Sequence, residues 1–146
     1  MKPADQSIRE LLVEQRLLEG SVRIVQTRLD IVNASLTDIY VANQTLEGIK
    51  GKPKGSETLV PIGGGSFIKA ELADTEKIIM GVGAGVAVEK SVDDSIFELK
   101  SRQAELERVR TSLQNQLTQV ASKIEAGRSK LSELVRKKGG ETIEVI

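Results

Sequence analysis

Two apolar heptad ladders, one towards each end of the chain, constrain the fold more than any other feature. The first runs Ile8, Leu11, Gln15, Leu18, Val22, Val25, Leu29, Val32, Leu36, Ile39, Asn43, Leu46. The second runs Ile96, Leu99, Gln103, Leu106, Arg110, Leu113, Leu117, Val120, Ile124, Gly127, Leu131, Leu134. Steps of three and four alternate without a slip, which is the seam of a coiled coil. The ladders are equally long. Two such helices can fold back on each other as an antiparallel hairpin, an architecture that offers surfaces rather than an enclosed pocket.

Composition agrees with a linear seam. Aromatic residues make up 2% of the 146, with no Trp, two Phe and one Tyr. A compact core normally leans on aromatic bulk, whereas a two-helix seam needs only Leu, Ile and Val. The 21 basic and 21 acidic side chains balance, without the basic excess of a nucleic-acid-binding chain. No Cys and no His occur. That removes disulfides, thiolate metal sites, cysteine nucleophiles and the commonest general base, so neither a metal nor another cofactor is expected. No apolar run approaches the length of a membrane span, and the start of the chain does not read as a secretion signal. A cytoplasmic protein without membrane contact is the expectation.

The first helix is expected over 4–48, opening at Pro3-Ala4-Asp5, where proline and an acid suit a first turn. At about 1.5 Å per residue its seam spans roughly 57 Å. Lys50 to Ser56, with Gly51, Pro53 and Gly55, reads as a solvated loop. Four short strands follow within 57–90: Thr58–Ile62, Ser66–Leu72, Lys77–Val82 and Val86–Glu89. Gly63-Gly64-Gly65, Asp74-Thr75-Glu76 and Gly83-Ala84-Gly85 supply the turns. Pro61 lacks an N–H and marks an edge or a bulge. The second helix is expected over 92–138, with Ser91 or Asp93 as N-cap and Arg136, Lys137 and Lys138 at the negative end of its dipole. A tail, 139–146, alternates apolar and polar residues.

In the antiparallel register that sets Leu46 against Ile96 and Ile8 against Leu134, Gln15 meets Gly127. A polar side chain opposite a missing one predicts a soft spot there. Several apolar residues fall off the seam near the open end: Leu12, Val13, Leu17 and Val135, with Ile143, Val145 and Ile146 in the tail. Their bunching predicts an adhesive surface. The two hairpins are too short to be stable alone and leave open edges, so pairing with other subunits is expected.

The run Glu57-Thr58-Leu59-Val60-Pro61-Ile62-Gly63-Gly64-Gly65-Ser66-Phe67-Ile68-Lys69-Ala70, followed by Gly81-Val82-Gly83-Ala84-Gly85-Val86-Ala87-Val88-Glu89-Lys90, resembles the alpha class of the prefoldin family in its archaeal form. The resemblance implies a mainly α subunit, a long coiled-coil hairpin with two inserted β-hairpins that join an intersubunit β-barrel platform. It implies a hexamer of two alpha and four beta subunits. That assembly would be an ATP-independent co-chaperone that holds unfolded polypeptides and passes them to a group II chaperonin. The platform would use Leu59, Val60, Ile62, Phe67, Ile68, Leu72, Ile79, Met80, Val82, Val86 and Val88. The client-binding tips would use Ile8, Leu11, Leu12, Val13, Leu131, Leu134 and Val135.

Two rival functions compete with this one. Gly81 to Gly85 superficially resembles a nucleotide-binding turn, but such a fingerprint opens a helix and here Val86-Ala87-Val88 reads as a strand. An enzyme is therefore disfavoured. The other rival is a structural coiled-coil scaffold or filament subunit without client-holding activity.

Overall fold

The computed structural model describes residues 3–138. The tail segment 139–146, with Ile143, Val145 and Ile146, lies outside the described residues. The order of elements is α1 (Pro3–Ile49), β1 (Glu57–Gly63), β2 (Ser66–Glu71), β3 (Lys77–Gly83), β4 (Val86–Ser91) and α2 (Val92–Lys137).

Two compact units divide the chain. The first joins the part of α1 up to Ala34 with α2 from Arg108 onward. Ile8, Val25, Val32 and Leu113 are its buried apolar residues, and the remaining ladder residues in it are half-buried. The antiparallel register is fixed by two polar contacts: Gln15 Nε2 donates to the carbonyl of Ile124 at 2.9 Å, and Lys138 pairs with Asp5. Gln15 also fills the space above Gly127. At the pair where the sequence predicts a soft spot, the polar residue thus has a partner.

The second unit runs from Ser35 to Glu107. Leu46, Val92, Ile96 and Leu99 from the helices enclose Met80 of β3, with Ile39, Ala42, Ile49 and Ile78 packed around them. Lys50 and Asp93 form an ion pair at 2.8 Å, joining the end of α1 to the start of α2. Hydrogen bonding to Asp93 raises the Lys50 pKa. Ser91 is the N-cap of α2: its Oγ accepts from the Asp94 N–H at 3.1 Å. Asp93 and Asp94 occupy the first turn, where acids meet the positive end of the helix dipole.

The four strands form two separate antiparallel hairpins, β1 with β2 and β3 with β4. They repeat one design. Each register slips just before its turn, between Pro61 and Gly63 in one and between Gly81 and Gly83 in the other. The extra residues are Ile62 and Val82. Each turn then needs consecutive positive φ angles, at Gly64 and Gly65 in one and at Ala84 and Gly85 in the other. Paired positive angles match the right-handed twist of a tight hairpin, which is why glycine dominates there. Ala84, at φ 50°, is the single described non-glycine residue in that region. Between the hairpins, Asp74 Oδ1 accepts from the N–H groups of Glu76 and Lys77 at 2.8 and 3.1 Å.

Candidate interaction surfaces

Among the described residues, nothing covers the apolar side chains of the β1–β2 hairpin. Leu59 and Val60 are neighbours, so their side chains project from opposite faces, yet both are exposed. Ile62, Phe67 and Ile68 are exposed as well. A two-stranded sheet also has two open edges, whose free N–H and C=O groups can template a further strand. Such a hairpin is marginal by itself. Its sequence, with Leu, Val, Ile and Phe on both faces, suits a strand that is covered on each side.

The β3–β4 hairpin differs because one face is already used. Met80 is 5% exposed and sits in the helix core, whereas its neighbour Ile79 is 79% exposed. Ile78 lies half-buried on the Met80 side. Met80, one of the residues expected in the platform, is turned by period-two alternation onto α1 and α2 of its own chain. Leu72 and Val88 are half-buried. Val82 and Val86 remain open with Ile79.

A charged clasp holds this hairpin to α2. Glu98 lies between Lys90 of β4 and Arg102 one turn on. Arg102 also reaches the carbonyl of Gly81 at 3.5 Å. Hydrogen bonds from Lys90 and then Arg102 hold the Glu98 carboxyl below the usual range. Two backbone N–H groups do the same for Asp74.

Sequence reasoning missed a further apolar set in the second unit. Phe97 is 77% exposed, and Tyr40 and Val41 are also open. The available signal was their heptad position. Phe97 directly follows seam residue Ile96, and Tyr40 and Val41 follow Ile39, so all three point off the seam.

The candidate tip residues fall into three classes. Ile8 is 3% exposed and belongs to the seam. Leu11, Leu12, Leu131, Leu134 and Val135 are half-buried. Val13 is exposed, and with Leu17 it floors a shallow groove edged by Arg9, Glu10 and Glu14. Only Val13 of the seven offers most of its surface to a ligand without any opening of the helix pair.

A prefoldin subunit family model matches residues 18–137, which include the second ladder, both hairpins and most of the first. The chain belongs to the prefoldin family. The prefoldin subunit alpha of Methanococcoides burtonii is 35% identical over 83% of this chain and 88% of that relative. That of Pyrococcus horikoshii is 29% identical over 99% of both, and prefoldin subunit alpha 1 of Thermococcus kodakarensis is 38% identical over 65% of each. Among solved structures, a chain of the filamentous PFD from Methanocaldococcus jannaschii shares the fold. The TM-score is 0.65 at 18% identity, covering 77% of this chain and 93% of that one. Two long helices with two inserted hairpins are thus the prefoldin subunit fold. No described helix is long and apolar enough to cross a membrane.

Proposed function

We propose that this prefoldin-family chain is the alpha-class subunit of an ATP-independent co-chaperone. In this reading two copies join four beta-class subunits through their hairpins. The complex works in the cytoplasm, holds unfolded polypeptides at the ends of its helix pairs, and passes them to a group II chaperonin.

The observation that carries the reading is the β1–β2 hairpin, apolar on both faces and covered on neither by the described residues. Burying apolar surface contributes roughly 25 cal/mol per Å², so residues such as Ile62 and Phe67 strongly favour a partner that supplies the missing cover. Ile79, Val82 and Val86 extend the same argument to the second hairpin.

Client holding is assigned to the start of α1 and the end of α2. Ile8, Leu11, Leu131 and Leu134 form the last contacts of a seam, where local opening is easiest. Opening there adds apolar surface to the exposed Val13. Each contact with an unfolded segment is weak, but several helix pairs acting on one client gain avidity. Weak contacts also release without nucleotide.

The test is reconstitution with beta-class partners, followed by native mass measurement. A complex holding two copies of this chain and four partners supports the reading. A chain that stays monomeric at micromolar concentration with those partners present overturns it. A filament subunit is the second reading, favoured by the filamentous solved structure that shares the fold. Electron microscopy separates the two, since discrete particles contradict a filament and open-ended polymers contradict the hexamer.

A further inference from the structure

The seam does not exhaust the heptad pattern of α1. Leu17, Ile24 and Ile31 recur at every seventh residue on the outer face of the helix, and all three are exposed, Leu17 at 69%. Gly20, Thr27 and Ala34 alternate with them. Steps of three and four again alternate, so this is a second ladder with the same 3.5-residue period, lying entirely in the first unit. Large residues set between small ones make holes and knobs for a helix that runs alongside.

The charges beside this ladder have one sign over its central part. A groove at Gly20, Ile24 and Thr27 is edged by Arg23 and Arg28. Next to it, a groove between α1 and α2 is lined by Ile24, Arg28 and Lys123, with Gln116 and Gln119. No carboxylate lines either groove. A second copy of α1 would set arginines against arginines here, which disfavours self-pairing. An amphipathic helix with an acidic border meets both the apolar ladder and the cations.

We infer that the outer face of α1, from Leu17 to Ile31, is a docking surface for an acidic amphipathic helix of a partner protein. The inference goes beyond the tip reading and does not depend on it. The partner's apolar stripe lies on Leu17, Ile24 and Ile31. Its Glu or Asp side chains face Arg23, Arg28 and Lys123. Gly20 lets the two helices approach closely, because it has no side chain and its nearest side-chain neighbour is the far end of the long Arg23 side chain, at 3.7 Å from a notional Cβ.

The test uses the full-length chain and a labelled synthetic three-heptad peptide with Leu at its seam and Glu at its borders, read by fluorescence anisotropy. Saturable binding that weakens with added salt is expected. Ile24→Asp, and separately Arg23→Glu with Arg28→Glu, should each weaken it by about tenfold or more, in the range of an interface anchor. Because Ile24 is exposed, helical circular dichroism should not change; Leu17→Ser provides a milder second variant. A peptide with Lys borders should bind at least about tenfold more weakly, since like-charge contacts penalise it. Equal binding of the two peptides, or unchanged binding by all variants, overturns the inference. Self-association of the chain that Ile24→Asp abolishes would assign the surface to a second copy and overturn it too. So would peptide binding that appears only after residues 139–146 are removed, because the tail would then be the occupant.

Discussion

Gln15 and Gly127 form a single interlocking pair across the two helices of the first unit. A Cβ on residue 127 would stand 2.8 Å from Gln15 Cδ and 3.2 Å from its Nε2, so the amide occupies the space that any other residue would need. The same amide donates to the carbonyl of Ile124. A polar residue in a coiled-coil seam normally lowers stability while fixing register. Here the missing side chain opposite gives it both room and an acceptor.

That arrangement predicts coupling. Gly127→Ala should gain helix propensity of about 1 kcal/mol but lose about as much by displacing Gln15 from its hydrogen bond. Alone, it should leave the denaturation midpoint nearly unchanged. In a Gln15→Ala background it should stabilise by about 1 kcal/mol, since only the propensity gain remains. Urea titration of the four species at one protein concentration measures this, and additive effects would contradict the interlock.

Asn43 is the opposite case. It is a seam residue of the second unit whose buried Oδ1 accepts no hydrogen bond from the described residues. An unsatisfied buried acceptor costs about 1–3 kcal/mol. Asn43→Leu should therefore raise the thermal midpoint while removing a device that specifies register. A lower midpoint would show that the amide is satisfied in solution.

Ile79 and Met80 separate assembly from folding. Met80→Ala empties part of the second unit's core and should destabilise it by about 2–5 kcal/mol. Ile79 is 79% exposed, so Ile79→Ser removes little packing among the described residues. It should leave helix content intact while weakening association with partner subunits, read by analytical ultracentrifugation. Equal effects of the two on thermal stability would show that the hairpin faces are misassigned.

The clasp at Glu98 sets a pH dependence. Its folded-state pKa is lowered from 4.5, first by Lys90 and then by Arg102. A depressed carboxylate contributes stability that is present above the unfolded value and lost as pH falls through the folded one. Asp74, lowered from 3.8 by two backbone N–H groups, acts in the same direction. Stability of the wild-type chain should thus fall as pH drops below about 4.5. Glu98→Gln should flatten that limb in denaturant titrations across the acid range; parallel curves would contradict the assignment.

Much of this architecture is visible in the amino-acid order because a heptad seam is a strict code. Every ladder residue from Ile8 to Leu46 and from Ile96 to Leu134 is buried or half-buried, and Gln15 does meet Gly127. The hairpin turns announce themselves through glycines at positive φ. What alternation cannot tell is which face of a strand turns inward. Met80 and Ile79 were equivalent until the helices chose between them. The outer ladder escaped for a related reason. Leu17, Ile24 and Ile31 look like scattered surface residues beside a dominant seam, and only their shared exposure and one-sided charge border reveal a second period.

The central claim is that the helix ends hold unfolded chains while the hairpins hold the complex together. Light scattering from a chemically unfolded protein diluted into buffer, with the reconstituted complex and no nucleotide, tests it most directly. Suppressed scattering is predicted, with suppression weakened when residues before Val13 and after Val135 are removed from an otherwise intact complex. Undiminished aggregation in the presence of the fully assembled complex would contradict it.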